Sequence, residues 1–252
     1  MKFSIITPSL NQGEYIEQCI LSVLEQNYND FEHIIIDGGS TDDTITILKK
    51  YHHLKWISEK DKGQSNALNK GFLISCGEII GWLNCDEKYL PNTFTKIDNY
   101  FQKESIDVLY GNYVSSRKGC EKTVFGVPHF PMLLFWKQYI NTVALFFSKK
   151  IITNKEFIDE SLEATMDKEF LLRLSNKKYR FKYVNETFGC FYWHSENKST
   201  KIRNIQKIES RKIITKYFFK NKIFIDKLFF WPIKYLFDFI NQFYKRIIRI
   251  LY

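Results

Sequence analysis

The sequence lacks the cysteine patterns of a disulfide-bonded or zinc-binding protein. Its 252 residues contain five cysteines, which are scattered along the chain and include no Cys-x-x-Cys pair. An odd, dispersed set of cysteines argues against a disulfide framework and against a structural zinc site. The pattern therefore favours a reducing compartment.

Long apolar runs and two common nucleotide-binding signatures are also missing. Because no stretch of 18 uncharged apolar residues occurs, a membrane-spanning helix is not expected. The apolar run within residues 1–8 is too short for a signal peptide and predicts a first strand instead. Neither G-x-G-x-x-G after that strand nor G-x-x-x-x-G-K-[ST] is present. Dinucleotide-binding and P-loop chemistry are therefore disfavoured.

Positive charge is concentrated at the C-terminal end. Residues 201–252 carry 13 basic and three acidic residues, whereas the first 200 residues carry 24 basic and 25 acidic residues. A neutral body with a basic tail indicates that the tail meets an anionic partner. Beyond Pro232, apolar residues recur at helical spacing up to Leu251, and most lysines and arginines fall between them. This pattern is typical of an amphipathic helix on an anionic membrane surface.

We therefore predict that residues 223–252 bind the surface of an anionic membrane. Packing of the same helix on the body of the protein or on a second subunit is the alternative. A nucleic-acid partner is not expected, because no recognised RNA- or DNA-binding module occurs. The sequence leaves the oligomeric state open.

Strand and helix patterns alternate along the first half of the chain. Strands are predicted at residues 3–7, 31–36, 55–58, 79–83 and 107–113, and helices at 14–26, 43–52, 63–75 and 92–103. The second half is less regular, with predicted strands at 143–147 and 181–193 and helices at 167–176 and from 201 onwards. The alternation predicts an α/β fold with a mostly parallel mixed sheet flanked by helices. We assign residues 1–200 to this body and residues 201–252 to a helical extension.

Polar residues follow three of the predicted strands, at residues 8–11, 37–40 and 84–87. Since open α/β sheets bind ligands at the carboxyl ends of their strands, we expect these segments to lie together. Their carboxylate and amide oxygens suit Mg2+ or Mn2+, and a cation at a strand end usually serves a phosphate. The pattern suggests a nucleotide-diphosphate site, although an ordinary polar turn is the alternative for each segment alone.

Five segments resemble family 2 glycosyltransferases of the GT-A fold. They are Ile6-Thr7-Pro8-Ser9-Leu10-Asn11, residues 22–28, residues 36–44, residues 59–71 and Trp82-Leu83-Asn84-Cys85-Asp86-Glu87. The resemblance is strong over about residues 3–115 and looser over 140–200. It implies a GT-A-like nucleotide-binding fold and an inverting sugar transfer that depends on Mn2+ or Mg2+.

The resemblance also implies the substrates and the location of the protein. The donor would be a nucleotide sugar, with a UDP-sugar preferred. The acceptor would be a lipid-linked or growing glycan in the synthesis of a bacterial cell-surface polysaccharide. Together with the basic tail, this implies a cytoplasmic protein that is peripheral on the inner face of the cell membrane.

Donor-binding roles follow from the resemblance, residue by residue. They fall on Pro8, Ser9, Asn11, Asp37, Asp61, Gln64, Asn66, Asn84 and Glu87. Relatives often carry an acidic residue where this chain has Gly38, and an aspartate where it has Asn66. For Asp61, Gln64 and Asn66 the alternative is a role in capping the helix that begins near Gly63.

Asn84-Cys85-Asp86 matches the DxD-type motif of the family. Asp86 takes the place of the metal-binding carboxylate, while Asn84 replaces the first acidic residue and could offer an amide oxygen. Glu87 would contact the donor or a metal-bound water. His194 follows a predicted strand and would meet the metal or the diphosphate, with a simple surface histidine as the alternative.

An inverting transfer needs a base that deprotonates the acceptor hydroxyl as it attacks the anomeric carbon. The segment around residues 164–174 resembles the one that supplies this base in the family, and Asp167 is the preferred candidate. A helix N-cap is the alternative role for Asp167, and Glu169 is the second candidate for the base. The aromatic segment 130–139 lies where the acceptor would approach, although core packing is the favoured interpretation there.

Two other functions remain possible at this stage. A sugar nucleotidyltransferase has a related layout but needs a glycine-rich basic loop after the first strand, which residues 8–13 do not provide. A non-catalytic relative that binds membranes or glycans would tolerate the neutral Asn84 and Gly38.

Overall fold

A mixed sheet of nine strands runs through the part of the chain that the structure describes, which is residues 2–195, 197 and 202–219 of a computed structural model. The strand order is β3-β2-β1-β4-β8-β6-β9-β5, and β7 pairs with β6. The strands are β1 Phe3–Ser9, β2 Phe31–Asp37, β3 Leu54–Ser58, β4 Ile79–Trp82, β5 Glu87–Tyr89, β6 Val108–Arg117, β7 Cys120–Val124, β8 Leu145–Ser148 and β9 Phe181–Trp193.

Eight α-helices flank this sheet within the described residues. They are α1 Ile16–Leu24, α2 Thr44–Leu48, α3 Gln64–Ile74, α4 Thr93–Lys103, α5 Pro131–Trp136, α6 Lys150–Thr153, α7 Met166–Asn176 and α8 Arg203–Ile214. A 3-10 turn at Thr142–Ala144 and a π-turn at Thr215–Phe219 complete the helical segments. None of the described helices combines the length and the apolar character needed to cross a bilayer.

The sheet has two halves of different character. Strands β3, β2, β1 and β4 are all parallel, because a helix crosses over between successive strands. From β8 onwards most pairings are antiparallel, and the exception is β9, which pairs in parallel with β6 over most of their length. The predicted α/β architecture with a mostly parallel mixed sheet is therefore confirmed.

Alternation along β1 builds a hydrophobic core on each face of the sheet. Ile6 faces one core, which includes Phe72 of α3 and Phe170 of α7. Phe3 and Ile5 face the other core, which packs against α1 and α4. Helix α3 lies very close to β1, since a Cβ atom at Gly71 would clash with Ile6. This close packing fixes the N-terminal end of α3 beside the carboxyl end of β1.

Strands β5 and β7 and helices α5 and α6 had no prediction, and helix α2 is much shorter than predicted. Strand β5 is only three residues long and has no apolar run, so its pairing with β9 gives no sequence signal. The β6–β7 hairpin turns at Lys118 and Gly119, which both have positive φ, 51° and 78°, as a type I′ turn requires. Lys-Gly is not a pair that marks such a turn. Helix α2 covers Thr44–Leu48 where residues 43–52 were predicted.

The first part of the predicted extension lies against the body of the protein. Helix α8 contributes Ile213 to the core cluster that also holds α7, and Ile213 is buried. The boundary between residues 200 and 201 stays a prediction, because most of the extension, residues 220–252, lies outside the described residues.

Candidate active site

A cavity of about 680 Å3 opens at the carboxyl ends of β1 and β4. Nine of the predicted site residues line it: Pro8, Ser9, Asp61, Gln64, Asn84, Asp86, Glu87, Asp167 and His194. Four others, Asn11, Asp37, Asn66 and Glu169, do not line it. The structure therefore brings most of the predicted donor, metal and base residues to one place, although their segments span more than 180 residues.

The turn after β4 is organised by the side chain of Asn84. Its amide oxygen accepts hydrogen bonds from the indole nitrogen of Trp82 and from Nε2 of Gln64, both at 3.0 Å. Because the indole N–H can only donate, it determines which end of the amide faces Trp82. The oxygen of Asn84 is therefore already engaged, and the residue acts in this arrangement as a bridge between β4 and the start of α3.

Asp86 meets His194 and Asn197 at the other side of the same turn. The Asp86 Oδ2, His194 Nε2 and Asn197 Nδ2 atoms form a triangle with sides of 3.0, 2.9 and 2.9 Å. The imidazole of His194 stacks on the ring of Tyr15, with 4.5 Å between ring centroids. The strand end at Asp86 and the segment after β9 thus converge on one carboxylate oxygen.

These groups have the chemistry to hold a divalent cation, but they form only part of a coordination shell. Among the described residues, no group of three histidine, cysteine or acidic side chains surrounds a common point. Magnesium is commonly held by one or two carboxylates together with water and substrate phosphates. The Nδ1 atom of His194 has no partner in the described part of the chain. No contact of Nδ1 in the described residues fixes the tautomer, so Nε2 can carry the proton and donate to Asp86, or stay unprotonated and bind a cation.

Glu87 is buried beside Asp86 and is only 2% exposed. Burial raises the pKa of Glu87 well above its usual range, and the neighbouring charge of Asp86 raises it further. Its Oε2 atom accepts a hydrogen bond from the backbone N–H of Asn84 at 3.0 Å. When Glu87 is protonated, the turn carries less negative charge. A cation bound at Asp86 would favour the ionised form of Glu87.

Asp37 is directed into its own loop and away from the cavity. It accepts hydrogen bonds from the backbone N–H groups of Gly39 and Ser40 and from the hydroxyls of Ser40 and Ser58. Burial alone would raise the pKa of Asp37, but these donors outweigh it and lower the pKa. The structure therefore gives Asp37 a role in shaping the loop after β2, and its contact with the donor stays a prediction.

Asp61 occupies the space beside Gly38. Its Oδ1 atom accepts the backbone N–H of Gly63 at 2.7 Å, and a Cβ atom at Gly38 would lie only 2.9 Å from Oδ2. Asp61 thus supports the start of α3 and also lines the cavity, and its contact with the donor stays a prediction. A side chain at position 38 would require this carboxylate to move, so the glycine leaves room for Asp61.

Asn11 and Asn66 hold loops together outside the cavity. The Asn11 side chain accepts the backbone N–H of Thr41 at 2.9 Å and so joins the loops after β1 and β2. The Asn66 amide donates to Glu160 at 3.0 Å. The Asn66 oxygen also accepts the backbone N–H of Lys62 at 3.4 Å, just before α3, and its contact with the donor sugar stays a prediction.

Helix α7 presents Asp167 to the cavity from its first turn. The N-cap position of the helix is occupied by Thr165, so Asp167 is not the cap. The Asp167 carboxylate accepts a hydrogen bond from its neighbour Lys168 N at 2.7 Å and one from Gln138 Nε2 at 3.3 Å. The side chain is partly exposed and lines the cavity. This placement is compatible with a base that reaches a bound hydroxyl.

Glu169 faces the opposite direction and is 1% exposed. It forms an ion pair with Arg173 at 3.1 Å and accepts a hydrogen bond from the Tyr217 hydroxyl. Because these partners surround the carboxylate outside the cavity, the geometry favours Asp167 over Glu169 as the base.

Glu209 of α8 holds the segment that leads into α7. Its carboxylate accepts the backbone N–H groups of Glu163, Ala164 and Thr165 at 2.8, 2.9 and 3.0 Å, and the Thr165 hydroxyl at 2.9 Å. Burial would raise the pKa of Glu209, but these donors lower it. Asp167 lies two residues after this segment. Helix α8 therefore positions the N-terminal end of α7, which faces the cavity.

Several residues at this site had no role in the sequence interpretation. Asn197 lies in the same polar segment as His194, which was the available signal. Gln138 lies inside the aromatic segment 130–139 and bonds Asp167. Glu209 gave no signal, because a single acidic residue in a basic helix has no motif around it.

The site and the fold can now be compared with known proteins. The model of the family described as Glycosyl transferase family 2 matches residues 4–160. The match covers more than half of the chain, and the chain therefore belongs to glycosyltransferase family 2. The resemblance inferred from the sequence motifs is confirmed.

Two characterised relatives show how far the sequence similarity extends. Chondroitin synthase from Escherichia coli is 28% identical over 225 residues, which is 84% of this chain and 32% of the relative. The poly(ribitol-phosphate) β-N-acetylglucosaminyltransferase TarP from Staphylococcus aureus is 28% identical over 220 residues, 79% of this chain and 67% of TarP. The chain spans about a third of the length of several curated relatives that it matches.

Solved structures share the fold at low sequence identity. S. aureus TarS in complex with UDP-GlcNAc superposes with a TM-score of 0.65 at 17% identity, covering 85% of this chain and 67% of the other. The mannosyltransferase PcManGT from Pyrobaculum calidifontis, in complex with GDP-Man and Mn2+, has a TM-score of 0.62 at 15% identity. That match covers 83% of this chain and 61% of the other. The predicted GT-A-like fold is therefore confirmed.

We predict that Glu209→Gln destabilises the protein in a pH-dependent way. The folded-state pKa of Glu209 is lowered, so its contribution is fully present above the unfolded-state value, near 4.3, and is lost as the pH falls through the folded value. At pH 7 the substitution should lower the free energy of unfolding by about 1.5–3 kcal/mol, the range for hydrogen bonds to a charged group.

Urea unfolding of both proteins at pH 7 and at pH 4 measures this effect. The difference between wild type and variant should shrink on acidification. An equal difference at both pH values would show that the charge of Glu209 does not matter.

Proposed function

We propose that this protein is an inverting glycosyltransferase that moves a sugar from a UDP-sugar to a glycan acceptor. The observation that carries this proposal is the placement of Asp86 and Asp167 on the wall of one cavity. The first is the DxD-type carboxylate and the second is the candidate base, so both ends of a transfer reaction have a suitable group. The volume of about 680 Å3 is in the usual range for a small-molecule site.

The donor would lie against the carboxyl ends of the parallel half of the sheet. Pro8, Ser9 and Asp61 line this part of the cavity, together with Gln64 and the turn after β4. UDP-GlcNAc is bound in the TarS complex, which has the same fold, and this supports a UDP-sugar as the donor. The proposed transferred sugar is an N-acetylhexosaminyl or hexosyl group.

A divalent cation, Mn2+ or Mg2+, would be held by Asp86 together with His194. When bound, it would neutralise the charge that develops on the departing diphosphate. The PcManGT complex contains Mn2+, which supports this part of the proposal. Asn84 is engaged with Trp82 and Gln64, so we assign it to positioning the turn.

Asp167 would take the proton from the acceptor hydroxyl. The oxygen of that hydroxyl forms the new bond to the anomeric carbon from the face opposite the diphosphate. The bond from the anomeric carbon to the diphosphate breaks, and its electron pair leaves with the UDP. Gln138 holds the carboxylate of Asp167 through a 3.3 Å hydrogen bond, and inversion follows from attack on the opposite face.

We propose that the acceptor is a lipid-linked or growing surface glycan at the inner face of a bacterial membrane. The name of TarP describes transfer to a poly(ribitol-phosphate), and chondroitin synthase also makes a glycan. Residues 223–252, which lie outside the described residues, would attach the protein to the anionic membrane surface. Their basic and apolar composition supports this role.

We predict that Asp86→Asn removes the effect of the cation on nucleotide binding. In the wild type, UDP with Mn2+ should raise the melting temperature more than UDP with a chelator, because a ligand that binds the folded state stabilises it. Asp86→Asn should show equal shifts under the two conditions. Asp43→Asn, an exposed aspartate outside the cavity, is the matched control and should behave as the wild type. A cation effect that survives in Asp86→Asn would contradict the metal assignment.

We predict different outcomes for the two candidate bases. Asp167→Asn should lower kcat about 10²–10⁴-fold, the usual contribution of a general base, with little change in the affinity for UDP. Glu169→Gln should instead destabilise the fold by about 1.5–3 kcal/mol, because Arg173 and Tyr217 lose a charged hydrogen-bond partner while the pair of Arg173 with Glu156 remains. Single-turnover transfer assays and urea unfolding separate these effects. Near-normal turnover by Asp167→Asn would refute its role as the base.

We predict that deletion of residues 223–252 releases the protein from vesicles that contain anionic lipids. The deletion leaves α8 and Glu209 in place, so the folded body should keep its affinity for UDP. Co-sedimentation with anionic and with neutral vesicles measures the binding. Equal binding of the full chain and the shortened chain would show that the tail does not attach the protein to the membrane.

A further inference from the structure

The strands β7, β6 and β9 lie side by side in the sheet. Their pairing register shows which side chains share one face of these three strands. On β6, Tyr113, Ser115 and Arg117 alternate onto one face of the sheet. Residues paired with them lie on the same face. These are Val124, Lys122 and Cys120 on β7 and Gly189, Phe191 and Trp193 on β9. None of these nine positions is acidic.

Side-chain contacts agree with this register. The indole nitrogen of Trp193 donates to the Ser115 hydroxyl at 2.9 Å, and the rings of Phe191 and Trp193 meet edge to face at 5.1 Å. We call this surface the aromatic-basic face and define it by Tyr113, Ser115, Arg117, Lys122, Phe191 and Trp193.

One part of the aromatic-basic face forms a wall of the active-site cavity. Tyr113, Phe191 and Trp193 line the cavity. Trp193 is 42% exposed, so part of its ring is open to a ligand. The next residue after Trp193 is His194, which contacts Asp86. The aromatic wall is therefore adjacent to the proposed position of the diphosphate, on the side away from the parallel strands.

The other part of the aromatic-basic face is cationic. Arg117 pairs with Trp193 in the ladder, and Lys122 pairs with Ser115. Both side chains are exposed, and neither has an acidic partner in the described part of the chain. The nearby acidic residue Glu121 belongs to the opposite face, which also carries Tyr192 with Lys88 over its ring at 5.2 Å. Two cations thus share a sheet face with cavity-lining aromatic residues and have no acidic neighbour on that face.

We propose that the aromatic-basic face binds the acceptor and that the acceptor is an anionic chain, made of sugar or polyol units that carry phosphate or carboxylate groups. This inference rests on the proposed glycosyltransferase function. The aromatic rings offer apolar surface to the C–H faces of the units next to the reacting hydroxyl. Arg117 and Lys122 bind the anionic groups of units further from the reaction centre.

The position of the cations favours the acceptor over the donor as their ligand. The donor diphosphate belongs beside Asp86 and His194, whereas Arg117 and Lys122 do not line the cavity. Arg117 lies across the ladder from the cavity-lining Trp193, and Lys122 lies across from Ser115, which bonds Trp193. A polymer with repeated charges can reach the cavity and these two cations at the same time, and a nucleotide sugar held at Asp86 occupies only the inner part.

The test measures binding of labelled oligomers to the full chain by fluorescence anisotropy. The probes are a ribitol-phosphate oligomer, an oligomer of alternating uronic acid and N-acetylhexosamine, and a neutral glucose oligomer of equal length. The variants are Arg117→Gln/Lys122→Gln and Trp193→Ala. Lys49→Gln/Lys103→Gln is the control, because it removes the same charge from two exposed helix-end residues outside the cavity.

The wild type should bind at least one anionic oligomer about tenfold more tightly than the neutral one, and added salt should weaken the preference. In Arg117→Gln/Lys122→Gln, the affinity for the anionic oligomer should fall about tenfold, and the affinity for the neutral oligomer should not change. Trp193→Ala should weaken the binding of both the anionic and the neutral oligomer. Tight binding of only the phosphate or only the carboxylate oligomer supports the proposal and identifies the anionic group.

Three results would overturn the proposal. They are equal affinity for neutral and anionic oligomers, an equal loss in the control variant, and a loss of UDP affinity that matches the loss of oligomer affinity in Arg117→Gln/Lys122→Gln. The last result would assign the cations to the donor. UDP-dependent thermal stabilisation is measured in parallel, and its absence from every protein would refute the proposed transferase function separately from acceptor binding.

Discussion

The arrangement of the site depends on one buried hydrogen-bond donor, the indole N–H of Trp82. This side chain is 1% exposed at the end of the central strand β4, and a buried donor without an acceptor is costly. The side-chain oxygen of Asn84 is the acceptor. In this orientation the same oxygen also accepts a hydrogen bond from Gln64 of α3. With the turn fixed in this way, the backbone places Asp86 towards His194 and Glu87 towards the interior. A neutral residue at position 84 is sufficient for this structural role.

The two halves of the sheet have different tasks in this arrangement. The parallel half presents loops at the carboxyl ends of its strands, and these loops form the proposed donor side. The mixed half contributes the long strands β6 and β9, whose paired faces make the opposite wall. Strand β4 lies where the two halves join, between β1 and β8. The carboxylate next to this junction, Asp86, is therefore within reach of elements from both halves.

The sequence was most informative where a function depends on contiguous residues. The segment Asn84 to Glu87 and the first turn of α7 were predicted as parts of one site because a motif or a helix start marks each of them, and the structure places both at one cavity. Asp37 and Glu169 were harder to interpret, since the donors that surround them come from separate segments. Asn197 and Glu209 were missed, because their contacts with Asp86 and Thr165 join positions 111 and 44 residues apart. A single sequence gives no signal for such pairs.

The contact between Glu209 and the residues before α7 determines which fragments of the chain would keep the packing of α7. The family match ends at residue 160, but the carboxylate that satisfies three backbone amides of residues 163–165 comes from α8. A fragment that stopped at residue 200 would leave those amides unpaired and remove Ile213 from the core cluster of α7. The contacts of the folded body therefore extend through α8, and a shorter piece would lack the carboxylate that anchors the segment before α7.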